Sequence, residues 1–174
     1  MARRWIAPAR LMLLALGLGA AASWAETAEE SELKAAYIYR FAQYTTWPDP
    51  PSGEVKFCSY GQPAIDEGLR KLQGRTVQNV PISVSRVDSP QAAKICHVLF
   101  LHVDRRGELA AWVAALALQP VLVVSDLPDA FREKAMIVFA VEPNRVTFRI
   151  NLTQARASGL SLSGQMLKLA QEVR

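Results

Sequence analysis

Residues 97–126, HVLFLHVDRRGELAAWVAALALQPVLVVSD, decide the fold. Residues 98–103 and 121–124 are short apolar runs, as in strands covered on both faces. Between them RRGELAAWVAALAL reads as a helix of about ten residues or more. Two strands joined by such a helix form a crossover unit, which makes the sheet parallel at this point.

The alternation continues upstream. VKFCSYG, PAIDEGLRKLQG, PISVSRV and SPQAAKI read as strand, helix, strand and helix. Downstream, AMIVFAVEPNRVTFRI reads as two strands joined by the turn Glu142, Pro143, Asn144, Arg145, an antiparallel hairpin. Two helical stretches close the chain: LTQARASG, ended by Gly159, and LSGQMLKLAQEV, with Leu162, Met166, Leu167 and Leu169 available for packing. In the opening stretch, residues 31–48, Leu33, Ala36, Tyr37, Phe41, Tyr44 and Trp47 recur at three- and four-residue steps, with Lys34, Arg40 and Gln43 on the other side. This predicts an amphipathic packing helix, capped by Ser31 and stopped by Pro48. The fold class is therefore α/β: a mixed, largely parallel sheet flanked by helices, with a C-terminal antiparallel hairpin and helices.

The N-terminus carries Arg3, Arg4 and Arg10, the apolar run 11–22, and Ser23-Trp24-Ala25, the order of a secretory signal peptide. Spanning a bilayer takes roughly 20 apolar residues, more than this run supplies. Residues 1–25 are expected to be cleaved, leaving residues 26–174 as one domain with no direct membrane insertion. Of 20 Lys and Arg, 17 then remain against 16 Asp and Glu. No stripe of positive charge is left to neutralise phosphates, so a nucleic-acid partner has no support. Export to an oxidising compartment favours a disulfide between Cys58 and Cys96, with two free structural thiols as the alternative. A Cys pair with only His97 and His102 nearby is a poor zinc site, and two histidines five apart on one strand face opposite ways.

Ligands of open α/β sheets sit beyond the carboxyl ends of parallel strands. The groups there are Gly61, His102, Asp104, Ser125 and Asp126, which would line one crevice. The competing reading makes Asp104 and Asp126 helix caps and His102 a satisfied surface histidine. No G-x-G-x-x-G, G-x-x-x-x-G-K-[ST], G-x-S-x-G or H-E-x-x-H occurs. SELK matches S-x-x-K without its K-T-G partner, and Ser31 reads better as a cap. Neither an enzyme nor a cofactor is indicated.

LKAAYIYRFAQYTTWP, VKFCSYG, LQGRTVQNVPISVSRV, AAKICHVLFLH and VTFRINLTQARASGLSLSGQMLKLA resemble, in order, the successive blocks of the YfiR family of periplasmic proteins. The resemblance implies an exported negative regulator that dimerises and holds an inner-membrane diguanylate cyclase inactive by binding its periplasmic sensor region, lowering cyclic-di-GMP. It places the family's disulfide on Cys58 and Cys96. The second cysteine pair of some relatives, in the region after VLVVSD, is missing here. Family interface determinants fall on Phe148, Arg149, Asn151, Leu152 and Ala155, where relatives often carry an acid at the place of Arg149. Read as residues alone, Phe148, Ile150 and Leu152 alternate like one buried strand face, and Asn151 suits a helix cap. The alternative function is a periplasmic small-molecule-binding sensor accessory that uses the crevice, with the aromatic helix as a wall.

Overall fold

The structure, a computed structural model, describes residues 19–142 and 145–174. Numbered in chain order, its elements begin with α1 (Gly19–Gln43), β1 (Thr45–Thr46), β2 (Val55–Tyr60), α2 (Pro63–Arg70), β3 (Thr76–Val77) and β4 (Val80–Arg86). After a 3-10 turn at Ala92–Ile95 come β5 (Val98–Leu101), α3 (Arg106–Leu116) and β6 (Leu122–Ser125). A second 3-10 turn, Pro128–Phe131, leads to β7 (Ile137–Glu142) and β8 (Arg145–Ile150). The chain closes with α4 (Leu152–Ala157), β9 (Ser161–Leu162), α5 (Gly164–Leu169) and β10 (Glu172–Val173).

The crossover expected at residues 97–126 is formed: β5 and β6 lie side by side in parallel, Val98 opposite Leu122. The main sheet has eight strands in the order β10-β8-β7-β6-β5-β2-β4-β3, and β1 pairs with β9 in a separate ribbon. Strands β4, β2, β5, β6 and β7 run parallel. β7 and β8 form the antiparallel hairpin, in register from Ile137 opposite Ile150 to Glu142 opposite Arg145. The expected turn residues Pro143 and Asn144 lie outside the described residues. Because the connection from β2 runs to one side and that from β5 to the other, the order of travel reverses between these two strands, where α/β sheets open a crevice.

Successive strand residues face opposite sides, so the sheet has two cores. Phe57, Phe100, Val124 and Phe139 pack with α1 and α2 on one side. Cys58, Leu99, Val123 and Val138 pack with Leu109, Trp112 and Leu116 of α3 on the other.

Several local expectations are corrected. Helical residues precede Ser31, which is buried inside α1 and does not cap it. Residues 1–18 of the expected leader lie outside the described residues. Among the described residues, no helix is long and apolar enough to cross a membrane. The helix ends at Gln43, before Pro48, and the Thr45 hydroxyl donates to the Phe41 carbonyl at 2.8 Å as the chain turns into β1. Its buried side is Ser31, Lys34, Ala35, Ile38, Phe41 and Ala42, whereas Leu33 and Ala36 are exposed. LSGQMLKLAQEV divides into strand, helix and strand. The Ser163 hydroxyl accepts from the Met166 N–H to start α5, and β10 is drawn off to pair with β8, leaving Leu169 exposed.

Candidate functional site

At the carboxyl edge of the sheet, β2 and β5 end almost in contact. The His102 N–H donates to the Tyr60 carbonyl at 3.0 Å. Gly61 follows with φ +96°, and a Cβ there would lie 1.8 Å from the His102 carbonyl oxygen. Only glycine permits this approach. From the end of β6, Asp126 places Oδ1 2.6 Å from His102 Nδ1 and Oδ2 2.7 Å from Lys34 Nζ of α1. Lys34 also meets Glu30 at 2.7 Å, one helical turn earlier. Glu30, Lys34, Asp126 and His102 thus form a continuous chain of charge and hydrogen bonding. Its middle is dry, with Lys34 and Asp126 side chains 5% and 6% exposed.

Burial pulls the Lys34 pKa down, and hydrogen bonds from Asp126 and Glu30 outweigh it, so the group is held above its ordinary 10.5. The ammonium persists because desolvation is met by two carboxylates. Beside this chain, Asp66 of α2 accepts from the Ser59 hydroxyl at 2.5 Å and from Arg86 at 3.0 Å. The arrangement clasps α1 and α2 to the sheet edge through charge.

Of the expected crevice residues, Gly61, His102 and Asp126 are brought together. Ser125 is fully buried, and its hydroxyl accepts from the Leu127 N–H at 3.2 Å. Asp104 is exposed. The capping alternative also fails: Arg105 holds the N-cap position of α3 and Leu127 that of the following 3-10 turn. An open groove of about 830 Å³ lies on the β4 side, lined by Tyr60, Gly61, Ser85, Arg86, Asp88 and Ile95 among others, so it takes only Gly61 from the expected set. Among the described residues, no group of three or more His, Cys, Asp or Glu is placed to hold a metal.

Sequence reasoning missed Lys34, Glu30, Ser59, Asp66 and Arg86. A four-residue Glu-to-Lys spacing was visible for the first two. Asp126, the partner that makes burial of Lys34 tolerable, is 92 residues away.

Cys58 of β2 and Cys96, just before β5, are joined in a disulfide with Cα atoms 6.0 Å apart, both buried on the α3 side. The Ser85 hydroxyl of β4 lies 3.8 Å from Cys58 Sγ. Next in the chain, His97 Nδ1 accepts from the Lys56 N–H at 2.9 Å. Burial, then the Lys56 charge, lowers the His97 pKa, leaving the ring neutral.

The C-terminal candidates form a different region. Phe148 is buried, its ring 4.8 Å from Phe41. Asn151 caps α4 by accepting from the Gln154 N–H at 3.0 Å, and Ala155 is wholly buried. Contact with a partner from these three would require the segment to move. Leu152 is partly exposed. Arg149 is partly exposed, lies over the Phe131 ring at 4.6 Å and reaches Glu172 at 3.9 Å. Its Nε is buried without a hydrogen-bond partner.

Residues 31–171 match a family described as YfiR/HmsC-like. Among solved structures, the chain is similar to a conserved domain protein from Vibrio cholerae O1 biovar El Tor strain N16961, with TM-score 0.54 and 12% identity over 83% of this chain and 60% of that one. It is similar also to an ABC domain in complex with L-Trp from Streptococcus pneumoniae, with TM-score 0.53 and 8% identity over the same shares. At these identities the likeness is one of fold. The chain spans about 60% of the length of each.

Proposed function

The chain belongs to the YfiR/HmsC-like family, and from that premise we propose that it is an exported regulator that binds the periplasmic sensor region of an inner-membrane diguanylate cyclase and holds the enzyme inactive. The family match over residues 31–171 carries this reading. The leader-like residues 1–25 and the Cys58–Cys96 disulfide support an oxidising compartment outside the cytoplasm. Inhibition works as a population shift: the regulator binds the inactive cyclase conformation more tightly than the active one, and the bias equals that difference in affinity. Arg149 and Leu152, the accessible ones among the five candidates in the β8–α4 segment, are its proposed contacts. Phe148, Asn151 and Ala155 hold that segment in shape from beneath. Deleting the gene in a host that encodes such a cyclase should raise cellular cyclic-di-GMP severalfold, and an unchanged level would overturn the reading.

The open groove beside Gly61 favours a second reading, a small-molecule-binding accessory. A ligand held there would raise the melting temperature of the purified protein by mass action. Substituting Arg86, which lines the groove, would remove that shift.

A further inference from the structure

Where α1 meets the loop before β3, two guanidiniums share one groove. It holds about 330 Å³ and is lined by Leu33, Ala36, Tyr37, Tyr39, Arg40 and Arg75, with no carboxylate in the lining. Arg40 Nη1 donates to the Gln43 side-chain oxygen at 3.3 Å, and the Arg75 guanidinium lies 4.5 Å over the Tyr39 ring. Both of these partners are neutral, and among the described residues neither arginine makes an ion pair. Neighbouring cations on α2 and β4 do: Arg70 meets Glu67, Lys71 meets Glu32 and Arg86 meets Asp66. Lys71 thereby also takes up Glu32, the acid next to Leu33 in the chain.

The groove is formed before anything enters it. The Tyr39 hydroxyl donates to the Thr76 carbonyl at 3.0 Å, and the Tyr37 hydroxyl donates to the Val146 carbonyl at 3.4 Å. The Arg75 backbone is pinned on both sides: its N–H donates to the Leu72 carbonyl at 3.0 Å and its carbonyl accepts from the Ile82 N–H at 2.7 Å. Fixed rings and a stacked guanidinium lose little further freedom when a ligand arrives. We propose that this groove binds a small organic carboxylate with a flat apolar body, an aromatic acid. The planar donor forks of Arg75 and Arg40 match the two oxygens of a carboxylate, and an anion between them is attracted by both. Its ring system lies against Leu33, Ala36 and the tyrosines. A free amino acid fits less well, because no acid in the lining receives its ammonium. The site shares no residue with the groove beside Gly61 and neither of the proposed cyclase contacts, so it holds or fails independently of both readings.

Isothermal titration of the purified protein with 2-naphthoate tests this. Binding should be saturable and should weaken as salt is raised, because both anchoring charges are exposed. Arg40→Gln and Arg75→Gln should each raise the dissociation constant about fivefold or more, and the double variant should lose measurable binding. Ala36→Trp, which fills the groove and keeps both arginines, should also block it. Arg86→Gln, beside Gly61, should leave binding intact, and 2-naphthylmethylamine, with the same rings and the opposite charge, should not bind. Ala36, Arg40, Arg75 and Arg86 are all exposed, so circular dichroism of the variants should be unchanged. Absence of saturable 2-naphthoate binding would overturn the proposal. So would binding that survives the double arginine substitution or Ala36→Trp, that is lost with Arg86→Gln, or that the cationic probe matches.

Discussion

Lys34 shows how much one side chain can carry when water is excluded. Its ammonium is tolerated because Asp126 and Glu30 flank it, and Asp126 is held by His102 in turn. Removing one member of a buried pair strands the other. Lys34→Met should therefore lower unfolding stability by about 3 kcal/mol in urea titrations, and adding Asp126→Leu should restore much of it. Gly61→Ala should be at least as damaging, because its Cβ meets a backbone carbonyl that cannot rotate away. His97 gives a pH signature. Its folded pKa lies below the ordinary 6.5, so the unfolded chain takes up a proton that the folded chain resists. Stability is then complete above 6.5 and declines as pH falls through that value toward the lower folded pKa. Urea midpoints measured at about pH 7.5 and about pH 5 should fall more for the parent protein than for His97→Asn. At this scale the sequence was least legible: hydropathy assigns any lysine to solvent, so Lys34 is expected outside and Leu33 and Ala36 inside, the reverse of what is found, while Phe41 and Trp47 of the same stripe are buried as expected. Gly61, His102 and Asp126 were found because parallel strands direct attention to their carboxyl ends.

Elements were more legible where a period repeats. The β7–β8 hairpin follows from alternation, and α3 from a run too long and too rich in alanine to be a strand. Short elements escaped. SPQAAKI has no length to show a helical period and settles as a 3-10 turn. The last stretch is cut by Ser163, which starts α5, and by pairing of β10 with β8, which no local pattern announces. The disulfide acts between elements, tying β2 to the approach of β5 across 38 residues. Closing a loop of that length in the unfolded chain is worth about 4 kcal/mol, so Cys58→Ser/Cys96→Ser should lower stability by up to that amount. Reductant should then have no further effect on the variant's melting temperature. If the parent melts at the same temperature in oxidant and reductant, the crosslink is not a stabilising element.

For the whole molecule, five parallel strands place the charged clasp and the open groove at the carboxyl edge, while the β8–α4 segment lies at the far side of the sheet beyond β7. The parallel core of the sheet follows from the alternation of strands and helices. Its pairing ends do not, because β3 and β10 are two residues each. Two separate surfaces, the groove and the β8–α4 segment, suit a protein that acts by binding, and the proposed regulator needs one such surface for the cyclase. The most direct measurement is the turnover of GTP to cyclic-di-GMP by the partner cyclase reconstituted in vesicles with its sensor region facing outward. Adding this protein to the outside should suppress turnover in proportion to occupancy, and Arg149→Glu should weaken the suppression. Turnover unchanged at saturating protein would contradict the account.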